Sequence, residues 1–145
     1  MSGNHRAHLL TAPDLAAALR FHAAGIDAQF AAVDLLIDHG VFLARSAFRE
    51  QFVRVARCHP GCEHPYNASI RWGAVVTAIN QHRLPCSSSE ADVLRVAASL
   101  GGNVPVRLGR VLGVLDTTNI ARVIDAITLA NGSRIHLRPT TQGQS

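Results

Sequence analysis

The segment 58–64 reads CHPGCEH and is the densest run of metal-binding side chains in the chain. Thiolate and imidazole suit Zn²⁺, which wants four such donors in a tetrahedron. Cys58, His59, Cys62 and His64 are the possible ligands, of which Cys58, Cys62 and His64 are the candidate site, with His39, His82 and Cys86 available if the fold returns to them. The three residues between Cys58 and Cys62 are an acceptable knuckle, but no second knuckle follows. The competing reading is a loop between helices carrying free thiols and solvated imidazoles. Cys86 raises a different chemistry: it precedes a helix start, where the dipole lowers a thiol pKa, and His82 lies four residues upstream. A nucleophile of this kind also needs an orienting group and an oxyanion site, and the sequence offers neither.

A second cluster is cationic. Arg45, Arg49, Arg54 and Arg57 against Glu50 give one segment a local charge of +3. On a helix these Arg residues fall outside the Phe48, Phe52 and Val55 stripe, where they could lie along phosphates and make binding salt-dependent. The alternative is internal pairing with Asp27, Asp34 and Asp38 of the preceding helix, packed antiparallel. That acidic helix also spoils the first helix-turn-helix pairing, because three Asp would face phosphate oxygens. The second pairing runs from the fifth helix through GGNVPVR to the last, with Arg107, Arg110 and Arg122 nearby. Its connection is long, and Asp116 and Asp125 accompany the Arg residues. No glycine-rich phosphate loop, His-Glu-x-x-His or catalytic carboxylate pair occurs, so no reaction is indicated.

The elements that must position these groups are read as helices throughout. The first is capped by Thr11, with Pro13 and Asp14 in its first turn, and stops at Gly25. The second opens at Asp27 and carries Phe30, Val33, Leu36 and Ile37 before Gly40. The third is capped by Ser46, buries Phe48, Phe52 and Val55, and ends near Cys58 because Pro60 cannot continue it. Trp72, Val75, Val76 and Ile79 mark the fourth. Ser87 to Glu90 forms a capping box for the fifth, which shows Val93, Val96, Ala97 and Leu100 before a Gly101-Gly102 stop. A short helical turn at 108–112 is weakened by Gly109 and Gly113. The last helix, capped by Asp116, presents Ile120, Val123, Ile124 and Ile127 and ends at Gly132. The fold expected is all-α, a compact bundle of about six helices. Its domain spans 11–132, with subdomains 11–57 and 69–132 joined by a loop at 58–68. Residues 1–10 and 133–145 read as flexible, with a brief extended piece at Arg134 to Leu137. All seven aromatic residues fall between Phe21 and Trp72, so the second half must pack with aliphatic side chains.

Composition bounds the function. At 145 residues, 48% hydrophobic and 17% charged, the chain buries enough apolar area to exclude disorder over most of its length. All fourteen cationic residues are Arg, which matches the codon bias of a GC-rich genome, and the net charge of +4 permits an acidic partner without requiring one. Three Cys and an N-terminus without an apolar stretch point to a reducing cytoplasm, and no apolar run is long enough for a membrane span. Residues 84–132, with Arg71-Trp72 upstream, resemble the C-terminal half of a family of small uncharacterised helical proteins from GC-rich bacteria. The resemblance implies no activity and transfers no site residue. The expected function is a non-enzymatic cytoplasmic protein-interaction or regulatory module, working with a protein partner or as a homo-oligomer. The alternatives are a nucleic-acid-binding regulator using Arg45, Arg49, Arg54 and Arg57, and a zinc-stabilised protein built on Cys58, Cys62 and His64.

Overall fold

A computed structural model of the chain describes residues 7–133; the expected extended piece at 134–137 and the rest of the tail lie outside them. A 3-10 turn at Ala7–Leu9 precedes α1 (Ala12–Ala23), α2 (Asp27–His39), α3 (Ser46–Phe52), β1 (Val53–Arg57) and β2 (Tyr66–Ile70). Then come α4 (Trp72–Asn80), α5 (Ser88–Gly102), α6 (Leu108–Val114) and α7 (Thr117–Ala130). Side-chain caps define three of the helix starts: Thr11 accepts from the Asp14 amide, Asp116 accepts from that of Asn119, and Ser87 and Glu90 close a reciprocal box. Ser46 is not a cap but the first residue of α3, which Arg45 precedes without a side-chain cap. Gly40, at φ 74°, ends α2 in a left-handed cap. Ala7, assigned by the sequence to a flexible start, is buried in the core. No helix among the described residues is long and apolar enough to cross a membrane.

The protein is mostly helical, but not all-α. The third helix stops at Phe52, and residues 53–57 pair antiparallel with 66–70, Val55 opposite Ala68 and Arg57 opposite Tyr66. The reason is local. Val53-Arg54-Val55 alternates β-branched and polar residues, which suits a pleated ribbon with one covered face, and Val53 and Val55 are buried while Arg54 is exposed. Ala68 and Ile70 supply the matching inward residues of β2, and the Cys58 amide donates to the Pro65 carbonyl at the base of the loop. Val55 falls inside under either period, which is why helical spacing described it equally well.

Two apolar clusters form the core. The larger joins Leu15 and Leu19 of α1, Val33 and Leu36 of α2, Phe42, Phe48 and Phe52, the inward residues of both strands, Val75 and Ile79 of α4, and Leu94 of α5. It therefore draws on both sides of 58–68. The smaller is aliphatic: Leu35 of α2, Val93, Val96 and Ala97 of α5, Val111 of α6, and Val123 and Ala126 of α7. Trp72 packs against both. Two of the three Asp residues of α2 pair internally, but with other partners than expected: Asp34 with Arg20 of α1 at 2.9 Å and Asp38 with Arg122 of α7 at 3.3 Å.

Gly101 and Gly102 do not lie beyond α5 but are its last two residues, and Asn103 caps it in the left-handed conformation at φ 54°. Their role is clearance. A Cβ on Gly101 would sit 2.5 Å from Nε1 of Trp72 and 2.9 Å from Cβ of Ala32; one on Gly102 would sit 2.7 Å from Cβ of Trp72. Gly109, within α6, has nothing within 4 Å of its added Cβ. Gly101→Ala should therefore destabilise by about 1–3 kcal/mol through overpacking, while Gly109→Ala should stabilise by about 0.5–1 kcal/mol through lower backbone entropy. Urea midpoints of the two variants check this, and equal shifts of one sign would contradict it.

Candidate functional site

The loop between β1 and β2 carries the Cys/His cluster to the tip of a hairpin. Cys58 and Cys62 are joined there as a disulfide with Cα atoms 6.0 Å apart. The histidine beside them is His59: its ligand atoms and the two sulfurs lie within 4.8 Å of one another, and its Nδ1 accepts from the Gly61 amide at 3.2 Å. His64 turns away and packs its ring on Phe21 of α1, centroids 4.9 Å apart. The structure thus brings Cys58 and Cys62 together but substitutes His59 for His64, and His39, His82 and Cys86 stay outside the group. A metal needs thiolates, so this donor set fits zinc only after reduction of the disulfide, and then with a fourth ligand from elsewhere.

The four Arg residues are split. The Arg45 guanidinium lies 5.0 Å over the Phe42 ring, donates to the Pro85 carbonyl and stands 4.0 Å from the Glu90 carboxylate. Arg49 donates to the carbonyls of Leu43 and Leu10, tying the α2–α3 connection to the N-terminal turn. Both therefore hold backbone in place. Arg54 and Arg57 are exposed, and no ion pair or hydrogen bond engages their guanidinium groups among the described residues. Three residues apart on a strand, they project to opposite faces.

A cleft of about 820 Å³ opens between α4, α5 and α6, which no residue spacing in the sequence indicated. Its apolar lining comes from Val76 and Ile79 of α4 and Val111 and Val114 of α6; Asp92 and Arg95 of α5 and Arg107 and Arg110 add charge. Arg95 donates to Asn80 at 2.8 Å and stands 3.7 Å from Asp92. Burial pushes the Asp92 carboxyl above its ordinary range, against the pull of Arg95 and Arg110. Cys86 and His82 line the same cleft. Burial, and then Glu90, push the Cys86 thiol up, which disfavours the thiolate that a nucleophile requires.

On another side, a polar knot gathers at the starts of α5 and α7. Asn119 is buried on the inward line of α7, donates to Ser89 at 3.1 Å and to Asp116 at 3.3 Å, and accepts from Arg122 at 3.0 Å. Beside it His39 is only 8% exposed, stacks on Phe42, and leaves Nδ1 without a hydrogen-bond partner. Sequence reading did not assign Asn119 a role. The available signal was its place at i, i+4, i+7 with Val123 and Ala126, a polar residue on an inward face.

Burial holds the His39 pKa below 6.5, with Arg122 adding to the effect and Glu90, Asp116 and Asp38 opposing it. The unfolded chain therefore takes up this proton at a higher pH than the folded one. Stability from neutral His39 is complete above 6.5 and drains away as pH falls from there to the lowered folded value. Denaturation midpoints across this range should fall more steeply for the native chain than for His39→Gln; superimposable profiles would refute the assignment. No protein-family model matches the chain, and no curated protein or solved structure matches it either.

Proposed function

We propose that the protein is a non-enzymatic interaction module that associates with a second copy of itself through the outer sides of α6 and α7. The observation that carries this reading is the placement of large aliphatic side chains outside the core. Leu108 and Leu112 of α6 are 42% and 40% exposed, and Ile124 and Ile127 of α7 are 45% and 41% exposed. On α7 the inward line is Asn119, Val123 and Ala126, so Ile120, Ile124 and Ile127 form a second line about 100° further round the helix. A helix that carries its largest residues on that line has an apolar face with no partner among the described residues.

A second copy suits this face because the exposed residues are all aliphatic, and a two-fold interface sets the same patch against itself. Interfaces of permanent homodimers are likewise richer in apolar area than transient ones. The nucleic-acid reading is less well supported, since Arg45 and Arg49 are engaged with carbonyls and, of the four, Arg54 and Arg57 alone lack a partner among the described residues. The zinc reading depends on reducing the Cys58–Cys62 bond.

Sedimentation velocity over a wide concentration range tests the proposal. The native chain should dimerise, and Leu112→Glu combined with Ile124→Glu should give a monomer with an unchanged helical CD spectrum. A native chain that is monomeric up to its solubility limit would overturn it.

A further inference from the structure

We propose that the cleft between α4, α5 and α6 is a binding site for a small amphipathic oxyanion, its head held by Arg107 and Arg110 and its apolar body lying on Val76, Ile79, Val111 and Val114. The volume, about 820 Å³, is that of a small-molecule site rather than a gap between side chains. Its charge is unbalanced, with three guanidinium groups lining it and one carboxylate, Asp92. Arg95 is already committed to Asp92 and Asn80. Arg107 and Arg110, three residues apart and so on one side of the chain as it enters α6, make no side-chain hydrogen bond or ion pair among the described residues. Arg110 acts on Asp92 only at longer range.

Two free guanidinium groups beside an apolar wall select a ligand with both characters. A bare inorganic anion would leave the aliphatic lining wet, and a neutral hydrocarbon would leave the cations unused. Carboxylate and phosphate monoester heads both present oxygens that a guanidinium fork can chelate. The site is independent of the self-association surface, which uses Leu108, Leu112, Ile124 and Ile127, and none of these lines the cleft.

Calorimetric titration of the full chain with octanoate, octyl phosphate, octanol and acetate tests the inference. Octanoate or octyl phosphate should bind saturably at one site per chain, and the tighter of the two identifies the head group. Octanol and acetate should each bind at least about tenfold more weakly, the loss expected for a missing charge-assisted hydrogen bond or apolar body. Arg107→Ala and Arg110→Ala should each weaken binding about tenfold, whereas Arg54→Ala should leave it unchanged. Repeating the titration on the Leu112→Glu, Ile124→Glu chain separates this site from dimer formation. Failure of both anions to bind, octanol binding as tightly as octanoate, or full affinity in both cleft variants would overturn it.

Discussion

The packing of α2 against α5 is the constraint from which the other features follow. Each of these helices is buried along two sides. Val33 and Leu36 of α2 enter the larger core and Leu35 the smaller; Leu94 of α5 enters the first, and Val93, Val96 and Ala97 the second. Helices can be sheathed this way only if they approach closely, and the residues at hand are small: Ala31, Ala32, Ala97 and Ala98 are fully buried, and Gly101 faces Ala32. Trp72 occupies the place that Gly101 and Gly102 leave clear, and it touches both clusters. The aromatic first half and the aliphatic second half are thereby joined through shared helices.

With α2 and α5 at the centre, the remaining elements have only one side to bury. The hairpin and α1 cover the larger core; α7 lies on α2, with Arg122 paired to Asp38. Helix α6 is anchored by Val111 alone, and this light attachment produces both the cleft on one side and the exposed Leu108 and Leu112. Binding surfaces and stability are thus separated in space. The tightly packed pair sets the frame, and the loosely held C-terminal helices present the apolar and cationic groups.

The helices were legible because their signals are local. Thr11, Ser87 with Glu90, and Asp116 cap as their types require, and Gly40 closes α2. The two strands were not legible, since a five-residue run beginning Val53-Arg54-Val55 continues the stripe of Phe48 and Phe52 at helical spacing. The outward Ile line of α7 was missed for a related reason: size suggested that Ile120, Ile124 and Ile127 face inward, while close packing on α2 selects Ala126 and Asn119. Side-chain partners over long sequence distances left no trace in spacing. Nothing local distinguishes Arg49, which bonds to the Leu10 carbonyl, from the free Arg54, or indicates that His59 and not His64 stands beside the two sulfurs.

Because Trp72 is the sole tryptophan and sits where the two clusters meet, its fluorescence reports on the joint between them. Equilibrium unfolding in urea, followed by Trp72 emission and by far-UV CD on the same samples, is the most direct test of a shared α2–α5 frame. One cooperative unit requires both signals to change together, with one midpoint and one slope. An emission change complete while most of the helical signal persists would show that the two clusters unfold separately, and would contradict the account.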